Sequence, residues 1–522
     1  MKKFLSTCLV AVLSFATLAL RANARPQDKD AKPAASDAKP ATPAPSAEVP
    51  KEESSVTDHS IKIGGQTIPY KATASTIMLK NDKGEPIALV FSVAYTRSDV
   101  KDLSQRPVAF LYNGGPGSST VWLHMGAFGP RRVITADAAN TPPPPYQLVD
   151  NQDSLLDKTD LVFIDAIGTG FSRAVGKSEN KDFWGVDQDV KAFAQFINIY
   201  VTRYNRWNSP KFLIGESYGT FRSAALGNYL QSHDSMYLNG IVLISSVLDL
   251  NTLLFNVGQD APYIYYLPSY AATAWYHKTL KDRPDDLQSF IAEVRQYALG
   301  DYASALLKGT TLSDAEKSAV AKKLSYFTGL SEDYLTKADL RVTLAQFMIE
   351  LQRSRGLTTG RIDARFSGYT YDLLSENAET DPQGSATAGP FVSLFNDYIR
   401  QDLKFGQDMT YVVESMAVNS GWDWKHGENG SDPTPPNTEG DLIQAMIANP
   451  YLSVQVENGY FDLATPFLAT EYSVDHLFLP ANLQSRIHLD YYTAGHMMYL
   501  HDADRAQLVH NIGGFIDSAV KR

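Results

Sequence analysis

The sequence predicts an α/β fold in which a mainly parallel central sheet is interrupted by a helical insertion. Short, uniformly apolar segments at 108–112, 161–165 and 241–245 alternate with segments of helical periodicity. Strands that are apolar on both faces are typical of parallel sheets covered by helices on both sides. This alternation of apolar strands and helices stops after Leu250 and resumes near residue 440, as expected when a second unit is inserted into one continuous fold.

The N-terminal segment is predicted to lie outside this fold. Residues 1–24 have the pattern of a signal peptide, with two lysines, an apolar stretch and an Ala-x-Ala cleavage box. An uncleaved membrane anchor is the alternative, but the apolar stretch is at the lower limit for a spanning helix. Residues 25–56 are rich in Pro, Ala and charged residues, and they are predicted to form a disordered tether. The single cysteine, Cys8, lies in the signal segment. A mature protein without disulfides favours an exported bacterial protein, periplasmic or secreted.

The folded part is predicted to comprise an α/β core at 57–250 and 440–522, with 251–439 as a mainly helical cap. Alternation of apolar and polar residues at 61–79 and 87–96 predicts antiparallel strands that precede the parallel ones. An independent helical domain is the alternative interpretation of the insertion. It is disfavoured because the α/β pattern resumes afterwards.

Within the insertion, local signals predict several helices. Ser313 and Glu316 have the spacing of a capping box at the start of one helix. Another helix is predicted from apolar residues that recur every three or four positions: Leu340, Leu344, Phe347, Met348 and Leu351.

The pentapeptide at 215–219, Gly-Glu-Ser-Tyr-Gly, carries the strongest chemical signal. It follows a predicted strand at 211–214 and precedes a helix of small residues from Thr220. In this context G-x-S-x-G is typical of the nucleophile elbow of α/β-hydrolases, where small flanking residues allow a sharp turn that exposes the serine. We therefore predict an α/β-hydrolase fold with Ser217 as the nucleophile. The alternative is a glycine-rich turn around an ordinary serine.

A serine nucleophile needs a base, and the base needs a carboxylate that orients it. On this fold the chain order is Ser, then Asp or Glu, then His, with the last two on loops after later strands. Asp462 follows the predicted strand at 452–458, and His496 follows the strand at 487–493. These positions at the ends of parallel strands predict a Ser217, Asp462 and His496 triad.

A glycine-rich loop at 113–119, Asn-Gly-Gly-Pro-Gly-Ser-Ser, follows the first apolar strand. Consecutive glycines let backbone N–H groups point at a ligand oxygen, and in a serine hydrolase such a loop forms the oxyanion hole together with the N–H of Tyr218. A phosphate-binding loop is the rival interpretation, but the sequence contains no G-x-x-x-x-G-K-[ST]. Neither a metal site nor a cofactor is indicated, since no HExxH or CxxC motif occurs.

Four separated segments, NGGPGSS, GESYG, NGYFD and AGHMMYL, together resemble the serine carboxypeptidase family in their order and approximate spacing. The resemblance implies the same triad, with Gly115 and Tyr218 supplying the N–H groups of the oxyanion hole. It also implies that Asn113 and Glu216 bind the terminal carboxylate of a peptide substrate. Because a protonated carboxyl binds a carboxylate better than an ionised one, the resemblance further implies activity that favours acid.

The sequence departs from the family pattern at two positions. Ser118 stands where the family usually has a cysteine. Ala127 stands where it usually has a second glutamate, two residues before Gly129. Glu216 is therefore predicted to lack its usual acidic partner. The departure at Ala127 weakens the prediction of a peptide substrate relative to an ester, and it does not affect the prediction of the triad.

Composition and motifs together predict the class of function. The 522 residues carry a formal net charge of −11, whereas sequence-independent nucleic-acid binding needs clustered Lys and Arg, so no nucleic-acid partner is predicted. No membrane association is predicted beyond the possible anchor. We predict an exported serine-type carboxypeptidase that hydrolyses C-terminal bonds of peptide substrates through an acyl-enzyme. The alternatives are an esterase or acyltransferase on the same fold, and a catalytically inactive periplasmic binding protein.

Overall fold

The computed structural model describes residues 49–427 and 435–521 of the chain. The strands of these residues are β1 (Ser54–Ile63), β2 (Gln66–Lys80), β3 (Pro86–Arg97), β4 (Val108–Tyr112), β5 (Arg131–Val133), β6 (Leu148–Asp150), β7 (Asp160–Ile164), β8 (Arg173–Ala174), β9 (Lys211–Glu216), β10 (Gly240–Ile244), β11 (Leu357–Thr359), β12 (Ser367–Tyr369), β13 (Ser453–Gly459) and β14 (Ile487–Tyr492). The α-helices are α1 (Val186–Arg203), α2 (Tyr218–Asp234), α3 (Ala261–Tyr276), α4 (Leu287–Tyr297), α5 (Ala303–Lys308), α6 (Asp314–Thr328), α7 (Glu332–Lys337), α8 (Leu344–Glu350), α9 (Pro382–Gln401), α10 (Met416–Ser420), α11 (Glu439–Ala448), α12 (Phe467–Asp475), α13 (Ala481–Gln484) and α14 (Asp502–Val520). No helix within these described ranges is both long enough and apolar enough to cross a membrane. The predicted signal peptide, residues 1–24, lies outside them.

One large sheet organises the described residues. Ten strands form it in the order β1-β2-β3-β7-β4-β9-β10-β13-β14, with β8 beside β3. β1, β2 and β3 pair antiparallel, and the strands from β7 onward in this order pair parallel. The predicted mainly parallel sheet is confirmed. Because carboxyl ends of parallel strands share one edge, the loops after β4, β9, β13 and β14 converge there.

Both faces of the sheet are covered by apolar side chains. Along β4, Ala109 and Leu111 join one hydrophobic cluster, and Val108, Phe110 and Tyr112 join the other. Helices α9 and α14 pack into the first cluster, and α1, α2 and α11 pack into the second. This burial on both faces explains why the sequence of β4 is uniformly apolar.

The ordered chain begins earlier than predicted. β1 starts at Ser54 and pairs with β2 from Ser54 opposite Ser75 to Ile63 opposite Gln66. The prediction of a tether up to residue 56 is therefore wrong for residues 54–56, while residues 25–48 lie outside the described ranges. Ser-Ser-Val is too short and polar to show an alternating pattern, and pairing with β2 determines its extended conformation.

Between β10 and β13 the described residues are mostly helical. The predicted capping box is present at the start of α6, where Ser313 and Glu316 bond reciprocally. The helix predicted from Leu340 is wrong at its start, because α8 begins at Leu344 and Leu340 lies in the preceding turn with φ +64°. Leu340 is nevertheless buried, so its apolar character serves packing in the turn. The role of 251–439 as a cap stays a prediction.

Candidate active site

Ser217 occupies the sharp turn between β9 and α2. Its backbone angles, φ 60° and ψ −129°, lie in a region that residues other than glycine rarely adopt. A Cβ at Gly215 would lie 2.2 Å from the carbonyl oxygen of Gly219, so the turn requires glycine there. The side chain of Ser217 is partly exposed, as a nucleophile at the carboxyl edge of the sheet must be.

Asp462 and His496 are brought into direct contact by the loops after β13 and β14. Asp462 Oδ2 lies 2.7 Å from His496 Nδ1, and both side chains are buried. The other carboxylate oxygen accepts hydrogen bonds from the backbone N–H groups of Ala464 (2.7 Å) and Thr465 (2.9 Å). The Thr465 hydroxyl donates to Oδ2 at 2.7 Å. This arrangement makes Asp462 a hydrogen-bond acceptor for His496 and favours the tautomer with its proton on Nδ1, which leaves Nε2 to act as a base.

The electrostatics of His496 fit that role. Burial lowers its pKa, but the charge of Asp462 and the hydrogen bond to it outweigh burial and raise the pKa above the ordinary value. Among the described residues no hydrogen bond joins Ser217 Oγ to His496. In unliganded enzymes this contact is often long and tightens when substrate binds. Asp462 and His496 are therefore joined directly, and Ser217 lies at the same edge of the sheet.

A short segment of the insertion, residues 361–364, is hydrogen-bonded to the two loops that carry Asp462 and His496. We call it the bridging segment. The backbone N–H of His496 donates to the carbonyl of Ile362 at 2.7 Å, and the N–H of Leu463 donates to the carbonyl of Arg361 at 3.1 Å. The positions of Asp462 and His496, two residues of the predicted triad, thus depend on backbone contacts with the insertion.

The predicted oxyanion loop lies against the first turn of α2. A Cβ at Gly114 would lie 2.4 Å from the backbone nitrogen of Tyr218, so loop and helix are in close contact. Gly115 is exposed and has φ +107°. Within the described part of the chain, neither Gly115 nor Tyr218 donates its backbone N–H to another group. Two unpaired N–H groups beside a helix N-terminus can stabilise a developing oxyanion.

Buried charged and polar side chains hold this glycine-rich loop in position through hydrogen bonds. Arg222 donates to the carbonyl of Asn113 at 2.9 Å and pairs with Asp189 at 2.6 Å. Asp165 accepts hydrogen bonds from the N–H and the hydroxyl of Thr120, each at 2.8 Å. All these side chains are buried, so the loop rests on a rigid polar layer.

Glu216 is a buried carboxyl beside the nucleophile. Its Oε1 accepts a hydrogen bond from Asn113 Nδ2 at 2.8 Å, while Oε2 has no donor in hydrogen-bond geometry among the described residues. Burial raises the pKa of Glu216 to about 7, although the charge of His496, the nearby Tyr499 hydroxyl and Asn113 act to lower it. The structure thus brings Asn113 and Glu216 together and leaves one oxygen of a carboxyl that is mainly protonated only below about pH 7 without a hydrogen-bond donor among the described residues.

Ala127, which stands where the family usually has a glutamate, lies in a turn without acidic side chains. Ala127 lies in a buried π-helical turn, Leu123–Phe128, and its carbonyl accepts a hydrogen bond from Asn151 at 2.8 Å. A Cβ on the preceding Gly126 would lie 2.6 Å from the ring of Tyr499. The turn therefore packs against Tyr499 and offers no carboxyl group to Glu216.

Three residues of the site were not predicted from the sequence: Thr465, Tyr499 and Arg222. Thr465 comes three residues after Asp462, where a hydroxyl can bond back to the carboxylate. Tyr499 belongs to the AGHMMYL segment, so its sequence position gave a signal. Arg222 lies one helical turn after Tyr218, and only the fold shows that it reaches Asn113.

The fold and the known relatives place this chain among the α/β-hydrolases. Residues 91–498 match the family profile of the serine carboxypeptidases, and the chain belongs to that family. Among curated proteins, the pheromone-processing carboxypeptidase KEX1 of Saccharomyces cerevisiae is 30% identical over 173 residues, which cover 30% of this chain and 22% of the relative. The match thus spans about a fifth of that relative's length.

A solved structure shares the fold over most of its length. The crystal structure of Kex1(delta)p, a prohormone-processing carboxypeptidase from Saccharomyces cerevisiae, is similar with a TM-score of 0.54 and 16% sequence identity. The match covers 85% of this chain and 92% of that one. The predicted α/β-hydrolase fold and the resemblance to serine carboxypeptidases are confirmed.

Proposed function

We propose that this protein is an active serine carboxypeptidase that removes C-terminal residues from peptides through an acyl-enzyme. The observation that carries the proposal is the 2.7 Å contact between Asp462 and His496, at the sheet edge where the strained elbow presents Ser217. A pure binding protein has no physical need for a strained serine or for a buried, carboxylate-paired histidine.

In the proposed reaction, Ser217 Oγ attacks the last peptide carbonyl while His496 Nε2 takes its proton. The N–H groups of Gly115 and Tyr218 stabilise the oxyanion of the tetrahedral intermediate. His496 then protonates the leaving amine, and the C–N bond breaks to give an acyl-enzyme and a free amino acid. Water, deprotonated by His496, attacks the ester and releases the shortened peptide, while Asp462 keeps the imidazole oriented.

The proposal assigns recognition of the terminal carboxylate to Asn113 and Glu216. Glu216 has an unpaired, buried oxygen and a pKa raised to about 7. In its protonated form it donates a hydrogen bond to a carboxylate, where an ionised glutamate would repel it. Asn113 holds the other oxygen of Glu216 and so fixes the orientation of this donor.

An esterase or acyltransferase is the second candidate function, and Ala127 is the observation that favours it. Because the buried turn around Ala127 supplies no acidic partner, the recognition of a free carboxylate rests on fewer groups than the family pattern provides. Such a site could act on substrates that lack a terminal carboxylate.

The decisive experiment compares blocked peptides that have a free C-terminal carboxylate with their C-terminal amides and with simple esters. Wild type and Ser217→Ala are assayed side by side. We expect wild type to release C-terminal amino acids and Ser217→Ala to lose at least about 10⁴-fold in kcat. Hydrolysis of esters alone would replace the carboxypeptidase with the esterase, and full activity of Ser217→Ala would refute the serine mechanism.

The proposal also includes export of the protein to the periplasm or medium of a bacterium. It is supported only by the sequence pattern of residues 1–24. N-terminal sequencing of the protein from its native cell tests it. A mature chain that begins after Ala24 supports cleavage and export, and a retained Met1 on a cytoplasmic protein contradicts them.

A further inference from the structure

Arg361 is a partly buried cation without an ionic partner beside the catalytic histidine. Its backbone lies in the bridging segment, where its carbonyl accepts the N–H of Leu463, the residue after Asp462. In the part of the chain that the structure describes, its guanidinium makes no hydrogen bond or ion pair. Its charge nevertheless acts on the site, since it opposes the overall rise in the pKa of His496 and of Tyr266.

The carboxylates near Arg361 are already committed to other groups. Asp462 binds His496 through one oxygen and two backbone N–H groups through the other. Asp381 accepts the backbone N–H groups of Arg361 and Ile362 and also caps the N-terminus of α9. Among the described residues, neither carboxylate forms a hydrogen bond or an ion pair with the guanidinium of Arg361.

A neighbouring arginine of the insertion, by contrast, is paired with carboxylates of the protein, as expected of a structural residue. Arg365 is buried and forms a fork with Asp363, with its Nη2 2.6 Å from Oδ2, and it also contacts Asp137 at 3.1 Å. Arg361, four residues earlier, has no such partner. The charge of Arg361 works against the larger effect of Asp462 on the pKa of His496, and an anion bound to the guanidinium would reduce that opposing effect.

From this placement we infer that Arg361 binds a carboxylate of the substrate beside His496. This inference rests on the proposed peptidase function and adds a specificity-determining residue to it. The planar guanidinium suits bidentate recognition of a carboxylate. In a peptide that anion is either the terminal carboxylate or an acidic side chain next to the scissile bond. With Ala127 in place of an acidic partner for Glu216, a cation would provide the missing anion recognition.

The test measures kcat and KM for wild type, Arg361→Met and Arg361→Lys. One substrate pair is a blocked dipeptide with a C-terminal acid and its amide. Two further pairs exchange Glu for Gln at the last and at the penultimate position. Arg355→Met is the matched control, because Arg355 is an exposed arginine of the same insertion whose side-chain hydrogen bond is a 3.4 Å contact with Gln352.

We expect Arg361→Met to lower kcat/KM by ~10- to 100-fold for the recognised carboxylate, mainly through KM, and to change the neutral isostere little. Arg361→Lys should retain part of the selectivity, and Arg355→Met should match wild type. Labelling of Ser217 by a fluorophosphonate reports an intact triad in every variant. Equal losses on all substrates, or no loss on any, would overturn the inference.

The outcomes separate this inference from the proposed function. If wild type hydrolyses peptide acids and Arg361→Met matches it on all three substrate pairs, the carboxypeptidase stands and the role of Arg361 falls. If wild type hydrolyses only esters, both fall together. A selective loss in any one of the three substrate pairs supports Arg361 and identifies which carboxylate it binds.

Discussion

At the residue scale, the role proposed for Glu216 would make substrate binding depend on pH. Its pKa is raised to about 7, chiefly by burial. The carboxyl is therefore mainly protonated below pH 7 and mainly ionised above it. Since the protonated form donates a hydrogen bond to a substrate carboxylate and the ionised form repels it, binding should weaken as pH rises through this range.

We predict that KM for a peptide acid rises about tenfold between pH 6 and pH 8, because only about a tenth of Glu216 stays protonated at pH 8. In Glu216→Gln the amide donates at every pH, so KM should become flat over this range. Steady-state kinetics of both proteins check this, with an ester lacking a carboxylate as the control substrate. A KM that keeps its rise in Glu216→Gln would assign the titration to another group.

Predictability from the sequence differs among the residues of the site. Ser217, Asp462 and His496 could be identified because each follows a strand and their chain order is set by the fold; the structure joins the last two directly. The contact of Tyr499 with the turn around Ala127, the contact of Arg222 with Asn113 and the unpaired state of Arg361 could not, because they depend on elements that are distant in sequence. The catalytic roles of Ser217, Asp462 and His496 and the binding role of Arg361 stay predictions until kinetics test them.

At the scale of elements, His426 ties together two helices of the core. Its Nδ1 lies 2.7 Å from Asp187 on α1, and its Nε2 lies 2.7 Å from Asp441 on α11. Burial lowers its pKa, but the two carboxylates outweigh burial and raise it to about 9. Both ring nitrogens then donate, so His426 is a cation held between two acceptors.

We predict that this contact stabilises the fold in a pH-dependent way. Because the folded-state pKa exceeds the unfolded value of about 6.5, the contribution is complete below pH 6.5 and is lost as pH rises through 9. Replacement by Gln should cost on the order of 2 kcal/mol at pH 6 and little at pH 10. Urea unfolding of wild type and His426→Gln at both pH values measures this.

The control for that experiment is His233→Gln, since His233 is an exposed histidine on α2. It should change stability by less than about 0.5 kcal/mol at either pH. A loss in His426→Gln that is equal at pH 6 and pH 10 would mean that its hydrogen bonds matter and its charge does not.

Prediction of elements from the sequence was best where packing and local pattern agree. The uniformly apolar β4 and the capping box at α6 are examples in which local signals match the fold. The first residues of β1 and the turn at Leu340 are not, because pairing with β2 and burial in a turn override the local pattern. Such tertiary effects are invisible in the pattern of a single segment.

At the scale of the whole molecule, the insertion shares a core with the sheet. Phe395 of α9 is fully buried in the same cluster as Leu111 of β4. Residues 50–522 form one compact unit, although the described part of it omits 428–434 and 522. A change in α9 should therefore affect the entire fold.

We predict that Phe395→Ala lowers the free energy of unfolding by about 3–5 kcal/mol and shifts a single transition. Tryptophan fluorescence and far-ultraviolet circular dichroism should give coincident denaturant curves. Val392→Ala on the same helix is the control, since Val392 is 37% exposed and should change stability by less than about 0.5 kcal/mol. An early separate transition in Phe395→Ala would show that the insertion unfolds by itself.

The bridging segment has a consequence for how such an enzyme can diversify. Three backbone hydrogen bonds join it to the loops that carry Asp462 and His496, so an insertion transplanted from a relative would have to recreate these bonds to keep the two side chains in place. If Arg361 has the role inferred above, new specificity would be reached more readily by exchanging single side chains of the bridging segment than by replacing the whole insertion. The insertion looks like a separate unit in the sequence, but its backbone is hydrogen-bonded to the loops that carry the predicted catalytic residues.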